Sequence, residues 1–321
     1  MTDPDAEIAR AVSALRAGEL VAFPTETVYG LGADARNADA VRRIFTLKGR
    51  PPGHPLIVHL ATGAQVGEWA QHVPEPARRL AAHFWPGPLT LIVPRAAGVL
   101  DELTGGQATI ALRVPSHPLA QRLLAAFGGA IAAPSANRYG RVSPTTAAHV
   151  REEFGPLVPI VLDGGASSVG LESTIVSCLE EPLLLRPGGI TVPELEAVVG
   201  PVRRAERGEG PPAPGRAAAH YAPQTPLTLA TGAAFAAATL APQIAVLAHG
   251  PARAGFGGRL WIDAGRDAQQ YGHDLYANLR RLDRSGADAI VVEAPPGGPA
   301  WEAVRDRLAR AAAACGAEEI A

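Results

Sequence analysis

The chain has 321 residues, a net charge of −2, 47% hydrophobic residues and a mean hydropathy of +0.08. That length suits two domains, and the near-neutral balance excludes a globally basic nucleic-acid binder. No apolar run approaches the roughly 20 residues of a membrane span, and Met1-Thr2-Asp3-Pro4-Asp5 lacks the layout of a signal peptide, so a cytoplasmic protein without a membrane partner is expected.

The first predicted helix is capped by Asp3, carries Ile8, Val12 and Leu15 on one face, and stops at Gly18. Strand Leu20–Phe23 ends at Pro24, and two hydroxyls, a carboxylate and a phenol follow in Thr25-Glu26-Thr27-Val28-Tyr29 before Gly30. Polar groups carried off a strand end are where ligands bind. A helix over Ala38–Leu47 delivers Lys48-Gly49-Arg50, and a proline-stiffened loop carries His54 into strand Leu56–Leu60, which holds His59. Helical segments over Gly63–Ala70 and Pro76–Phe84 lead through Trp85-Pro86-Gly87-Pro88 to strand Leu89–Val93.

Thr109–Val114 alternates as a strand with Thr109, Ala111 and Arg113 on one face. An arginine there calls for an anion. A helix over His117–Phe127 precedes strand Ala130–Ala133, which ends in Pro134-Ser135-Ala136-Asn137, and Ser143-Pro144 reads as the cap of a helix over Thr145–Phe154. Strands follow at Ile160–Leu162, Ser173–Ser177 and Leu183–Leu185, the last ending in Arg186-Pro187-Gly188. Interleaved helices and strands over residues 1–200 predict one α/β domain. Residues 201–226, rich in Pro, Gly, Arg and Glu, read as a linker, although His220 and Tyr221 near its end are odd in a spacer. Residues 227–321 carry continuous apolar strands at Ile244–Leu247, Leu260–Ile262 and Ala289–Val292 between helical segments Ala233–Leu240, Ala268–Arg284 and Trp301–Ala314, as in a small Rossmann-like parallel layer.

The cations are informative. Among 29 Lys+Arg, Lys48 is the single lysine, which marks it as a compact point charge that a planar guanidinium does not replace. Lys48, Arg50, Arg113 and Arg186 stand at element ends or on one strand face, and Ser135, Asn137 and Ser143 add polar groups near an expected helix N-terminus, a natural phosphate site. The set suits a triphosphate together with carboxylates. There is no GxxxxGK[ST] loop, no arrangement for covalent catalysis and no metal-ligand spacing; Cys178 and Cys315 read as small hydrophobes.

The runs Phe23–Gly32, Lys48-Gly49-Arg50, Pro55–His59, Trp85–Thr90, Ala133–Asn137, Glu172–Ile175 and Arg186–Gly188, in this order, resemble the YrdC-type threonylcarbamoyl-AMP synthases. His220-Tyr221-Ala222-Pro223 resembles the linker end of the longer, two-domain branch, though Arg216-Ala217-Ala218-Ala219 departs from it. The resemblance implies a concave, cation-lined α/β catalytic domain (1–200), a linker or lid (201–226) and a Rossmann-like domain (227–321). It implies that L-threonine, bicarbonate and ATP, with Mg²⁺ and no organic cofactor, give threonylcarbamoyl-AMP and pyrophosphate. The product would pass to a threonylcarbamoyl transferase acting on tRNA, without stable nucleic-acid binding by this chain. By the same resemblance Thr27, His59, Arg113 and Ser173 would hold threonine. Lys48, Arg50, His54, Thr109, Ala133, Ser135, Asn137, Ser143, Arg186 and Tyr221 would hold the nucleotide, with Lys48 and Arg50 the catalytic cations. Two rival readings are a non-catalytic RNA- or ribosome-binding module, disfavoured by low net charge, and a carbamoyl-adenylate enzyme, whose zinc-finger cysteines two cysteines cannot supply.

Overall fold

The computed structural model describes residues 4–239 and 241–316. The expected cap Asp3 and the expected helix end at Leu240 lie outside them. The chain divides into two compact units: Met1–Arg138, Pro144–Ser168 and Glu172–Arg216 form the first, and Tyr139–Ser143, Val169–Leu171 and Ala217–Ala321 the second.

The first unit runs α1 (Pro4–Arg16), β1 (Val21–Phe23), β2 (Gly30–Asp34), α2 (Ala38–Lys48), β3 (Ile57–His59), α3 (Glu75–Phe84), β4 (Leu89–Pro94), α4 (Asp101–Thr104), β5 (Thr109–Arg113), α5 (Pro118–Phe127), β6 (Ile131–Ala132), α6 (Ala147–Phe154), β7 (Thr174–Ser177), β8 (Leu183–Arg186), α7 (Val192–Val199) and β9 (Arg203–Arg204). Its strands form one mixed sheet in the order β1-β2-β6-β3-β5-β4-β7-β8-β9. The two-residue strand period splits the side chains cleanly. Val58, Leu91, Val93, Leu112, Val176 and Leu184 enter the larger core on one face, while Ile57, Ile92, Ala111, Ile175, Leu183 and Leu185 form a smaller cluster on the other, with Ala205 and Ala213 packed against it. Continuing the period by two places His59 and Arg113 on the second face, and the two are partners in the parallel β3–β5 ladder.

Several expectations are corrected. The helix after Asn137 starts at Ala147, and its cap is Thr146, whose hydroxyl accepts the His149 amide at 3.2 Å. Ser143-Pro144 does not cap it, because the Pro144 carbonyl instead accepts the Tyr29 amide at 2.9 Å. Ile160–Leu162 is no regular strand; Val161 makes an isolated bridge to Ala22. The segment Gly63–Glu68 is a 3₁₀ helix. Residues 201–216 are not a free tether: β9 pairs with β8, and Gly210 lies so close to Leu183 and Leu185 that a side chain there would collide with them.

The second unit holds β10 (Leu227–Ala230), α8 (Gly232–Ala238), β11 (Ile244–Ala248), β12 (Leu260–Asp263), α9 (Ala268–Asp283), β13 (Ala289–Glu293) and α10 (Glu302–Ala314). Its four strands are all parallel, in the order β10-β13-β11-β12, which is the Rossmann-like layer expected plus the unpredicted β10.

Candidate active site

Arg113 organises the first group of side chains. It is 4% exposed. Its Nε donates to the Gly87 carbonyl at 3.3 Å, its Nη1 donates to the Thr27 hydroxyl at 2.8 Å, and its Nη2 lies 2.7 Å from Glu26 Oε1. Thr25 Oγ1 donates its single proton to the Val28 carbonyl at 2.7 Å, so Thr27, 2.8 Å away, must donate to Thr25. A hydrogen-bond chain therefore runs from the guanidinium through two hydroxyls into backbone, which fixes the turn after β1. Glu26 closes the arrangement by accepting the Ser116 amide on Oε2 at 3.0 Å.

His59 stands beside this group. Burial and the neighbouring Arg113 charge push its pKa down to about 3, against the pull of the Ile57 and Ile131 carbonyls. The ring is thus neutral at physiological pH and can share a hydrogen bond without taking a proton. Its Nδ1 is buried and makes no close hydrogen bond among the described residues.

Ser173 and Arg186 form the second group. Arg186 donates from Nε and Nη2 to the Ser173 carbonyl at 3.1 and 2.9 Å, from Nη2 to the Ser173 hydroxyl at 3.1 Å, and from Nη1 to the Pro214 carbonyl at 3.0 Å. Thr90 Oγ1 lies 2.7 Å from Ser173 Oγ. Gly188 makes the geometry possible, since a Cβ there would stand 2.3 Å from the Thr174 nitrogen and 2.5 Å from the Glu172 carbonyl. The two runs Glu172–Ile175 and Arg186–Gly188 therefore touch backbone to backbone.

Lys48 leads the third group. It is the last residue of α2, ahead of Gly49 at φ 62°, and is 3% exposed. Its Nζ donates to the Ser135 carbonyl at 2.6 Å and to the Asn137 carbonyl. Burial, then the Arg50 charge, holds its pKa well below the usual lysine range, with Glu153 opposing. Two of three ammonium protons are thus committed, leaving one for a ligand. Arg50, 7% exposed, donates to the Pro55 carbonyl at 2.9 Å. Half-buried His54 has its pKa lowered by burial and by Arg50.

Thr109 is half-buried at the start of β5, and the Ala133 amide donates to the Ile57 carbonyl at 2.9 Å. Ser143 and Tyr221 belong to the second unit. There Tyr221 is 1% exposed and takes φ +63°, with the Arg307 guanidinium 5.1 Å over its ring and Tyr276 stacked at 5.8 Å. Sequence reasoning marked Thr25 and Glu26 as polar groups off a strand end but did not pair Glu26 with Arg113, and it gave Thr90 no role. The signal for Glu26 was the arginine in a strand that calls for an anion, and the chain's own carboxylate supplies it. Among the described residues no group of three or more His, Cys, Asp or Glu is placed to hold a metal ion, and no helix is long and apolar enough to cross a membrane.

Residues 13–188 match the Sua5/YciO/YrdC family, described under telomere recombination, and residues 190–313 match the threonylcarbamoyl-AMP synthase C-terminal domain. Threonylcarbamoyl-AMP synthases of Bacillus subtilis and Pyrococcus abyssi are 41% and 40% identical, over 96% and 92% of this chain and 93% and 91% of their own. The crystal structure of P. abyssi Sua5 complexed with L-threonine has a TM-score of 0.91 at 36% identity, covering 100% of this chain and 98% of that one. E. coli YciO, at 24% identity and TM-score 0.53 over 61% of this chain and 95% of its own, shares the fold of the first unit.

The His59 environment predicts an acid dependence. Its folded pKa of about 3 lies below the ordinary 6.5, so the unfolded chain takes up a proton that the folded chain refuses. The contribution is intact above about pH 6.5 and is lost towards pH 3 at roughly 1.4 kcal/mol per pH unit. Urea unfolding of His59→Gln between pH 6.5 and 4 should show a shallower acid slope, by up to one proton, than the parent; equal slopes would show that the folded ring titrates normally.

Proposed function

We infer the reaction from one premise: the chain belongs to the Sua5/YciO/YrdC family, in its two-domain Sua5 form. The activity is that of a threonylcarbamoyl-AMP synthase, a nucleotidyltransferase. The observation that carries it at the level of residues is that Lys48, Arg50, Arg113 and Arg186 are all buried in the first unit, with Arg113 beside an imidazole, that of His59, which is kept neutral.

In the proposed reaction the amine of L-threonine combines with bicarbonate to give a carbamate and water. A carbamate oxygen then attacks the α-phosphorus of ATP, and pyrophosphate leaves. Arg113 holds the threonine carboxylate with the donors that Gly87 and Thr27 do not use, and a bidentate guanidinium–carboxylate pair fixes its plane. Thr27 and Ser173 take polar groups of the same molecule. His59 shares a hydrogen bond with a threonine donor and, being so weak a base, leaves the proton in place. Carbamate formation then needs positioning and no strong base.

Lys48 and Arg50 face the charge that grows on the phosphates, which is where fixed cations lower the barrier. His54, Thr109, Ala133, Ser135, Asn137 and Arg186 of the first unit complete the nucleotide set as the family pattern has it. Mg²⁺ enters with ATP as part of the substrate, since this ion binds chiefly through phosphate oxygens and water. The adenylate is consumed by a transferase that moves the threonylcarbamoyl group to tRNA.

Pyrophosphate release from ATP should require both L-threonine and bicarbonate. Serine, which lacks one methyl, should be used less well by a factor that a methyl pocket provides, about 10- to 150-fold. Release at the full rate with neither co-substrate would contradict the reading. Lys48→Arg should lose at least about a hundredfold in rate with unchanged circular dichroism, because the broad guanidinium cannot enter between the Ser135 and Asn137 carbonyls and still present a point charge. A fully active Lys48→Arg enzyme would show that any cation serves there.

A further inference from the structure

Glu26 is a buried carboxylate, 6% exposed at the side chain, and nothing in the reaction requires it to touch a substrate. Its two oxygens have separate roles. Oε2 accepts the amide of Ser116, three residues beyond Arg113, and Oε1 stands 2.7 Å from Arg113 Nη2. One side chain thus joins the turn after β1 to the chain leaving β5. The residue after it, Thr27, accepts from Arg113 Nη1.

We propose that Glu26 is a positioning residue that sets the plane of the Arg113 guanidinium and the place of the Thr27 hydroxyl, and so determines affinity for the carboxylate of L-threonine. This rests on the reading of Arg113 and Thr27 as threonine ligands.

The donor count supports it. A guanidinium has five N–H groups. Nε–H is committed to Gly87 and one Nη1–H to Thr27. Oε1 is near Nη2 but outside hydrogen-bond geometry, so it holds the fork by charge and leaves N–H groups of both terminal nitrogens for a ligand. A planar carboxylate needs such a pair at a fixed orientation. Without the Glu26 charge the guanidinium keeps its bonds to Gly87 at Nε and to Thr27 at Nη1 and loses its one partner beside Nη2.

Substitution separates positioning from bulk stability. In Glu26→Gln the Ser116 amide keeps its acceptor only if the glutamine oxygen faces it, which turns the new NH₂ towards Arg113, donor against donor. Glu26→Asp keeps the charge and withdraws it by one methylene. Calorimetric titration of L-threonine into the full chain, with steady-state kinetics in both substrates, reads the outcome. Glu26→Gln should weaken L-threonine binding and raise its KM about 30-fold or more, Glu26→Asp roughly three- to tenfold, and the KM for ATP should stay within about twofold in both. A structural role alone would lower the active fraction, hence kcat, and leave the KM for threonine unchanged; that result overturns the proposal. Arg113→Ala is the reference. If it binds L-threonine like the parent, the assignment of Arg113 fails; if Arg113→Ala weakens binding and Glu26→Gln and Glu26→Asp do not, the proposal about Glu26 fails.

Discussion

A guanidinium stays charged at any physiological pH, and Arg113 carries one into the sheet at 4% exposure. Removing one partner of a buried ion pair costs about 3–5 kcal/mol, so a carboxylate beside it is a condition of full stability. Glu26 meets that condition, and in doing so fixes the turn after β1, the hydroxyls of Thr25 and Thr27, and the chain that leaves β5. The Arg113 charge in turn helps to keep His59 neutral. The proposed threonine end of the site thus follows from one electrostatic requirement, met by a carboxylate from a segment distant in sequence.

The proposed phosphate end follows a different logic. Lys48 is held by two main-chain carbonyls, with its pKa lowered by burial and by the Arg50 charge. An ammonium kept this way is poorly solvated and gains from an arriving phosphate more than a surface lysine would. Arginine and lysine are therefore held in different ways. Planar forks pair with Glu26 and with the Ser173 backbone, and the compact charge sits against two main-chain carbonyls. That division explains why a composition moved so far towards arginine retains a lysine at this position.

Much of this was legible in the sequence because it depends on short-range periodicity. The two-residue alternation of β5 put Thr109, Ala111 and Arg113 on one face, and Gly49 marked the end of α2 beside Lys48. What the sequence did not disclose depends on contacts between distant segments. Glu26 and Ser116 are 90 residues apart, and no local pattern pairs them. The cap of α6 was misplaced by three residues because Ser143-Pro144 satisfies the local rule, while Pro144 is taken up by Tyr29 far away in sequence. Residues 201–216 lack periodicity, yet fold by adding β9 to a sheet edge and Ala205 and Ala213 to an apolar cluster, which only tertiary structure defines. Tyr221 reads as a linker residue and is instead a buried one in the second unit, its left-handed backbone offset by packing on Arg307 and Tyr276.

The central claim is that these buried cations bring a threonine carbamate onto the α-phosphorus of ATP. Its most direct test is mass spectrometry of the nucleotide product formed by the full chain from ATP, L-threonine and bicarbonate labelled with heavy carbon. The account predicts an adenylate containing one threonine and one labelled carbon, formed in step with pyrophosphate. An unlabelled adenylate, or conversion of ATP to ADP and phosphate alone, would contradict it.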